Sequence, residues 1–181
     1  MTDALEHGAR FCMRCGAGLE WQVDEEGTRR WACPACGWVY YHNPKPCVGA
    51  LIVRGGKVLL ARRAKPPFQG WWDIPGGFME AGETPEQALV REIAEETHLR
   101  VRHVELLVVV PDTYGEEGVP TLNLHYLVEV EPGEPVHGSD VSELAWFGPE
   151  GLPDQIAFAN GREALAAWQR RVCKKIDLSG E

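Results

Sequence analysis

Apolar positions along this chain follow two rhythms. Cys47–Val53 and Val58–Arg62 are β-rich runs joined by Arg54–Gly55–Gly56–Lys57. A Gly-Gly pair between such runs predicts a hairpin, because glycine supplies the positive φ of a tight turn. Val104–Val110 and Thr121–Val130 are two further strand-like runs, with Pro111 to Pro120 read as the loop between them. Leu144–Phe147 adds a short one. Two segments keep helical spacing instead. Pro85 to His98 sets Ala88, Leu89 and Ile93 on one side. Thr84 can cap it, Pro85 fits its first turn, and Glu86 and Gln87 suit its positive end. Arg162 to Ile176 repeats apolar residues at the same spacing and closes the fold. Lys65 to Gly77, rich in Pro, Gly and Trp, reads as a loop.

Before Lys45 the rhythm is missing. Residues 1–10 carry no pattern and are expected to be loosely ordered. Residues 11–44 hold too few aliphatic side chains for a core of their own, with Asp24–Glu25–Glu26–Gly27 as a hairpin tip. What they hold instead is Cys12-Met-Arg-Cys15-Gly16 and Cys33-Pro-Ala-Cys36-Gly37, seventeen residues apart. Two thiolates three positions apart on a tight turn can share a metal ion, and the following glycine permits the left-handed turn. Two such pairs at this spacing predict a closed structural Zn²⁺ site; disulfides or unmetallated thiols are the alternative. Cys47 and Cys173 lie outside the pattern and read as small buried apolar residues. The division expected is therefore 1–10 N-terminus, 11–44 ribbon and 45–181 main domain.

Composition narrows the partners. A chain of 181 residues holds one ordinary domain and a small module. Its longest apolar stretch, about Val104 to Pro111, falls far short of the ~20 residues of a membrane helix. The start, MTDALEHGAR, lacks the basic and apolar regions of an export signal, so a cytoplasmic protein is expected. A net charge of −9 does not draw nucleic acid or anionic lipid by bulk charge. Arg29 and Arg30 are the ribbon's basic cluster, flanked by acidic residues, so nucleic acid is not expected there either.

The chemistry is concentrated in GFMEAGETPEQALVREIAEETHL, Gly77 to Leu99. Glu92, Glu95 and Glu96 stand at i, i+3 and i+4, which a helix gathers on one side. Such carboxylates repel one another unless cations neutralise them, and their oxygens suit Mg²⁺ or Mn²⁺. Glu83 lies just before the helix, and Arg91 can pair with a carboxylate and fix its orientation. Glu-Ile-Ala-Glu-Glu alone would read as a solvated acidic helix. The full pattern resembles the Nudix signature at Gly77, Glu83, Arg91, Glu92, Ile93, Glu95, Glu96 and Leu99, with Pro75–Gly76 as its lead-in. One position departs: His98 stands where the family has glycine, at a helix end that favours a left-handed residue. The ribbon with Asn43-Pro-Lys-Pro46, and the later Leu144-Ala-Trp-Phe147 and Leu152–Phe158, resemble the zinc-ribbon branch of that family, especially its FAD pyrophosphohydrolase-like members.

The resemblance implies an α/β fold: an α/β/α sandwich around a mixed sheet, plus the small zinc ribbon. It implies hydrolysis of a nucleoside diphosphate derivative with Mg²⁺ or Mn²⁺, releasing AMP from a dinucleotide. Glu92, Glu95 and Glu96 are the expected metal ligands, with the backbone of Gly76 or Gly77 adding another. Asp140, then Glu143, are candidate loop carboxylates for the general base, and Glu116 and Glu117 lie in the loop expected over the site. Trp71, Trp72, Tyr114 and Phe158 can stack on a base or an isoalloxazine ring, or be core residues. FAD-like dinucleotides and ADP-ribose rank first. NADH follows, because the Ser-Gln-Pro-Trp marker of NADH pyrophosphatases is missing from VELLVVVPDTYGEEG. Nucleoside triphosphates and capped RNA rank last. Many relatives are homodimers, and some Nudix folds serve as non-catalytic ligand sensors.

Overall fold

The computed structural model describes residues 9–116 and 118–178. Residues 1–8, expected to be loosely ordered, and Glu117, expected over the site, lie outside the described residues.

The ribbon is a small antiparallel sheet of β1 (Glu20–Val23), β2 (Arg29–Ala32) and β3 (Val39–Tyr40). Its tip is built by Asp24, whose Oδ1 accepts from the Glu26 and Thr28 amides while its backbone N–H donates to the Thr28 carbonyl. Gly16 and Gly37 follow the CxxC pairs with φ of 76° and 71°, the left-handed turns that glycine adopts without strain.

The larger sheet runs β10 (Val141–Phe147), β5 (Lys57–Arg63), β4 (Lys45–Arg54), β9 (Val119–Val130), β8 (Val101–Tyr114). β4 and β9 pair in parallel, the other neighbours antiparallel, so the sheet is mixed. Cys47–Ile52 are buried without a break, as a strand covered on both faces must be, whereas Cys173, expected to be buried like Cys47, is exposed on the last helix. Their alternation divides the core. Val48, Ala50 and Ile52 pack with Ala88, Leu89 and Ile93 of α1 (Pro85–Thr97). Leu51, Val58 and Leu60 pack with Ala164, Leu165 and Trp168 of α2 (Ala159–Leu178). One helix on each face gives the expected α/β/α sandwich.

Two predicted loops are partly strand. The stretch from Lys65 to Gly77 contains β6 (Trp72–Asp73), paired with β5, and the start of β7 (Gly76–Phe78), paired with β4. Both are too short to leave a periodic signal. Pro111–Tyr114 continue β8 and Val119–Pro120 begin β9, so the connection shrinks to a tight turn after Tyr114. Pro111 is tolerated because β8 is an edge strand, and Pro120 because it stands at a strand start.

Helix α1 begins with a capping box. Thr84 Oγ1 accepts from the Gln87 amide and Gln87 Oε1 accepts from the Thr84 amide. It ends at His98 with φ of 55°, the left-handed conformation expected of the family's glycine. The histidine ring also takes a role glycine lacks: Nδ1–H donates to the Val136 carbonyl at 2.8 Å. Backbone bonds from Val136 to Thr97 and from Gly138 to Glu96 fasten the same loop, and a Cβ at Gly138 would lie 2.1 Å from the Glu95 carbonyl. The loop so held leads into Asp140.

Candidate active site

A cavity of about 450 Å³ opens between the β6–β7 segment, α1 and the start of β10. That volume lies within the range of small-molecule sites. Helix α1 sends Glu92 and Glu96 into it. Two glycines let the backbone come close. A Cβ at Gly77 would lie 2.5 Å from Glu92 Oε1, and one at Gly76 would lie 2.1 Å from the Val48 carbonyl. With no side chain there, the Gly76 amide donates to Glu96 Oε2 at 3.0 Å.

The carboxylates are held in different ways. Arg91 donates through Nε and Nη2 to both oxygens of Glu83, at 2.7 and 2.9 Å, and through Nη1 to Glu92 at 2.7 Å. Those Arg91 bonds hold the Glu83 carboxyl down at about 2. Burial pushes Glu92 up, against the pull of Arg91. Glu96 has no such partner. Burial raises it to about 8; the Gly76 bond works against this, and Glu92 and Asp73 add repulsion. Two crowded, half-buried carboxylates, of which Arg91 pairs with Glu92 alone, are the donor set that hard divalent ions take. Glu95 is 60% exposed, 3.5 Å from Arg91, and outside the cavity lining, as is Glu83.

The cavity lining also holds two cationic side chains, Arg63 and Lys65, that sequence reading missed. Arg63 pairs with Asp73 at 2.9 Å and lies 5.0 Å from the Phe158 ring centre. Burial pushes Asp73 up to about 6 despite that partner. Lys65 pairs with Asp140 at the cavity mouth, which keeps Asp140 below the usual carboxylate range. The signal in the sequence was Arg62-Arg63-Ala64-Lys65, a basic run in an acidic chain. Glu143, the second loop candidate, pairs with Arg62 at 3.2 Å and does not line the cavity. Glu116 lies farther off, beside Phe68 and Phe158.

The four aromatic candidates separate. Tyr114 and Phe158 stack at 5.6 Å, with Phe78 edge-on to Tyr114 and Phe68 edge-on to Phe158. Trp71 packs on Phe68, outside the cavity lining. Trp72 packs on Phe147 and joins the core under α2. Trp72 is thus the core residue that the alternative reading allowed.

In the ribbon, the sulfurs of Cys12, Cys15, Cys33 and Cys36 lie within 4.8 Å of one another and can hold a metal ion. Cys12 and Cys36 are 3.6 Å apart, and Cys15 and Cys33 are 3.5 Å apart. Among the described residues no helix is long and apolar enough to cross a membrane.

Comparison with known proteins follows this division. The family described as NUDIX domain matches residues 43–169, and the zinc-ribbon family described as Nudix N-terminal matches residues 10–42. The chain is 36% identical over 118 residues to an ADP-ribose pyrophosphatase of Methanocaldococcus jannaschii, covering 65% of this chain and 69% of that protein. It is 36% identical over 149 residues to an NAD-capped RNA hydrolase NudC of Pseudomonas aeruginosa, covering 80% of this chain but about half, 49%, of that relative. Among solved structures, a NUDIX hydrolase from Nitrosomonas europaea superposes with a TM-score of 0.72 at 30% identity, over 90% of this chain and 91% of the other. The ribbon and the sandwich are thus accounted for by one lineage, and the chain belongs to the Nudix hydrolase family.

Proposed function

We propose that this protein hydrolyses the pyrophosphate link of a nucleoside diphosphate derivative, with ADP-ribose the first choice and AMP a product. The observation that carries the reading is the pair of half-buried carboxylates, Glu92 held by Arg91 and Glu96 held by the Gly76 amide, lining a cavity that Arg63 and Lys65 also line. Glu92 and Glu96 are the proposed holders of Mg²⁺ or Mn²⁺, with the Gly76–Gly77 backbone beside them and Glu95 toward solvent. Bound there, a divalent cation neutralises charge that develops on the diphosphate and acidifies a water molecule. The protein's own groups do the rest. Arg91 fixes the orientation of Glu92 and uses Glu83 as its anchor. Arg63 and Lys65 offer positive charge to the phosphates. Asp140, an anion at neutral pH that Lys65 tethers at the cavity, is the proposed carboxylate to take a proton. Tyr114, Phe78 and Phe158 form the aromatic wall for the nucleoside.

The ribbon is proposed to hold structural Zn²⁺. Four thiolates around Zn²⁺ at about 2.3 Å set sulfur separations of about 3.8 Å, close to the spacing found, and leave no open ligand position. Relatives named for NAD-capped RNA lift a nucleotide carried on RNA above the last place that sequence assigned it. The test is a panel of ADP-ribose, FAD, NADH, NAD-capped RNA and nucleoside triphosphates with Mg²⁺ or Mn²⁺, products resolved by chromatography, with Glu96→Gln as control. AMP formation lost in the variant supports the reading. ADP-ribose binding without turnover of any substrate overturns it in favour of a sensor.

A further inference from the structure

Behind the catalytic cavity lies a second, smaller chamber of about 80 Å³. The two share a wall that includes Arg63, Asp73, Gly77, Phe78 and Tyr114. Its floor is polar where a sheet should be apolar: Thr121, Asn123 and His125 alternate along β9 and are all buried. Most of this polarity is satisfied. Asn123 Nδ2 donates to the Val110 carbonyl and to Thr121 Oγ1. Asn160, in the first turn of α2, donates through its backbone N–H and its Nδ2 to Asp112, both at 2.8 Å. That leaves Asn160 Oδ1 to accept from His125 Nε2–H at 3.0 Å.

This chain of bonds fixes the imidazole tautomer. Nε2 carries the proton, so Nδ1 presents a lone pair. His125 is 3% exposed, and Nδ1 has no partner among the described residues. A Cβ at Gly49 would lie 2.4 Å from Nδ1 and 2.8 Å from Cε1, so only glycine lets the ring lie against β4. A buried acceptor on the lining of a chamber, with no donor, is costly unless a ligand or water supplies one.

We propose that this chamber is a specificity subsite of the substrate, in which His125 Nδ1 accepts a hydrogen bond from an N–H or O–H donor of the nucleoside half. The inference rests on the nucleotide reading above and names the group that reads the nucleoside. Two parts of a nucleoside offer that chemistry: the exocyclic amine of adenine and a ribose hydroxyl. The Asp112–Asn160–His125 chain acts as the positioning element, because it holds the lone pair in one orientation.

The test reads binding separately from turnover. Protein carrying ¹⁵N-histidine, in Mg²⁺, is titrated with AMP, inosine monophosphate and 2′-deoxy-AMP while the His125 Nδ1 resonance is followed. The expected result is a shift toward the hydrogen-bonded position with AMP. Loss of that shift with inosine monophosphate assigns the amine, and loss with 2′-deoxy-AMP assigns the hydroxyl. An Nδ1 resonance that stays in place up to the solubility limit of AMP overturns the proposal and leaves the nitrogen to a bound water. His125→Gln supplies the second arm, since a glutamine amide can keep the donation to Asn160 yet offers no atom at the Nδ1 position. Wild type should prefer ADP-ribose over the analogue lacking the donor by about tenfold in kcat/KM, and the variant should bring that ratio near one. A variant that slows both substrates equally marks a merely structural histidine and overturns the proposal. If wild type hydrolyses nothing while Nδ1 still responds to AMP, the hydrolytic reading falls and the subsite stands.

Discussion

The ribbon and the sandwich solve the same problem by opposite means. The ribbon's buried apolar residues are Cys12, Leu19, Ala32 and Cys33, so two of the four are thiols. The sandwich buries Leu51, Ile52, Leu59, Leu60, Leu89, Ile93 and Trp168 almost completely. The first unit has little hydrophobic burial to hold it, and on the proposed reading a bound ion supplies the rest. The second has ample burial, and it can therefore tolerate unfavourable groups, such as the glutamate pair, at its active site. Charge crowding in a fold belongs where apolar packing can support it.

That contrast can be broken at either end. Cys33→Ser should abolish the ribbon fold, since metal binding in such small sites is worth about 10–16 kcal/mol, while sandwich melting stays cooperative. Zinc stoichiometry together with fluorescence of Trp21, Trp31 and Trp38 reads the first, and circular dichroism the second. Simultaneous loss of both would show that the two units share their stability. Trp168→Ala is the converse change and should cost the sandwich about 3–5 kcal/mol in urea unfolding with zinc retained.

His125 gives the sandwich an acid limb of its own. Burial holds its pKa down to about 4 against an ordinary 6.5, so the unfolded chain takes up the proton first. Its contribution is intact above pH 6.5 and is lost as pH falls toward 4, by about 3 kcal/mol in all. His125→Gln should flatten that limb in pH-dependent melting. Glu96→Gln should lower kcat about 10²-fold or more, close to 2.7 kcal/mol of transition-state stabilisation. In chelator, the same variant should raise stability at pH 8, because the wild-type carboxyl, held near 8, resists the ionisation that an unfolded glutamate completes. The smallest effect is expected for His98→Gly. It relieves the left-handed cap but loses the bond to Val136, for a net change within about 1 kcal/mol, read by thermal melting.

Much of this architecture was legible because its signals are local. The Gly55–Gly56 turn, the Thr84 cap and the two CxxC knuckles each declare themselves within a few residues. So did the glutamate helix, whose register alone brings Glu92 and Glu96 to one face. What escaped was set by distant partners. β6 and β7 exist only because β5 and β4 lie beside them. Arg63 gains its place through Asp73 and Phe158, and that Glu95 turns to solvent is not encoded in its spacing. His125 left a trace in the sequence, the polar alternation Thr121, Asn123, His125 within an apolar run, but its meaning depended on Asn160, 35 positions away.

The parallel pairing of β4 with β9 has a kinetic consequence. It joins Lys45 to Thr121 and Ile52 to Val128, so closing it encloses the hairpin, the glycine segment and all of α1 in one loop. Local hairpins and helices form in microseconds, whereas such long-range closures wait on chain diffusion and its entropy. Gly49 meets β9 at His125, and residues of both strands line the smaller chamber, so that chamber is completed by this late event. A refolding chain should therefore regain its helical signal well before it can bind a nucleotide.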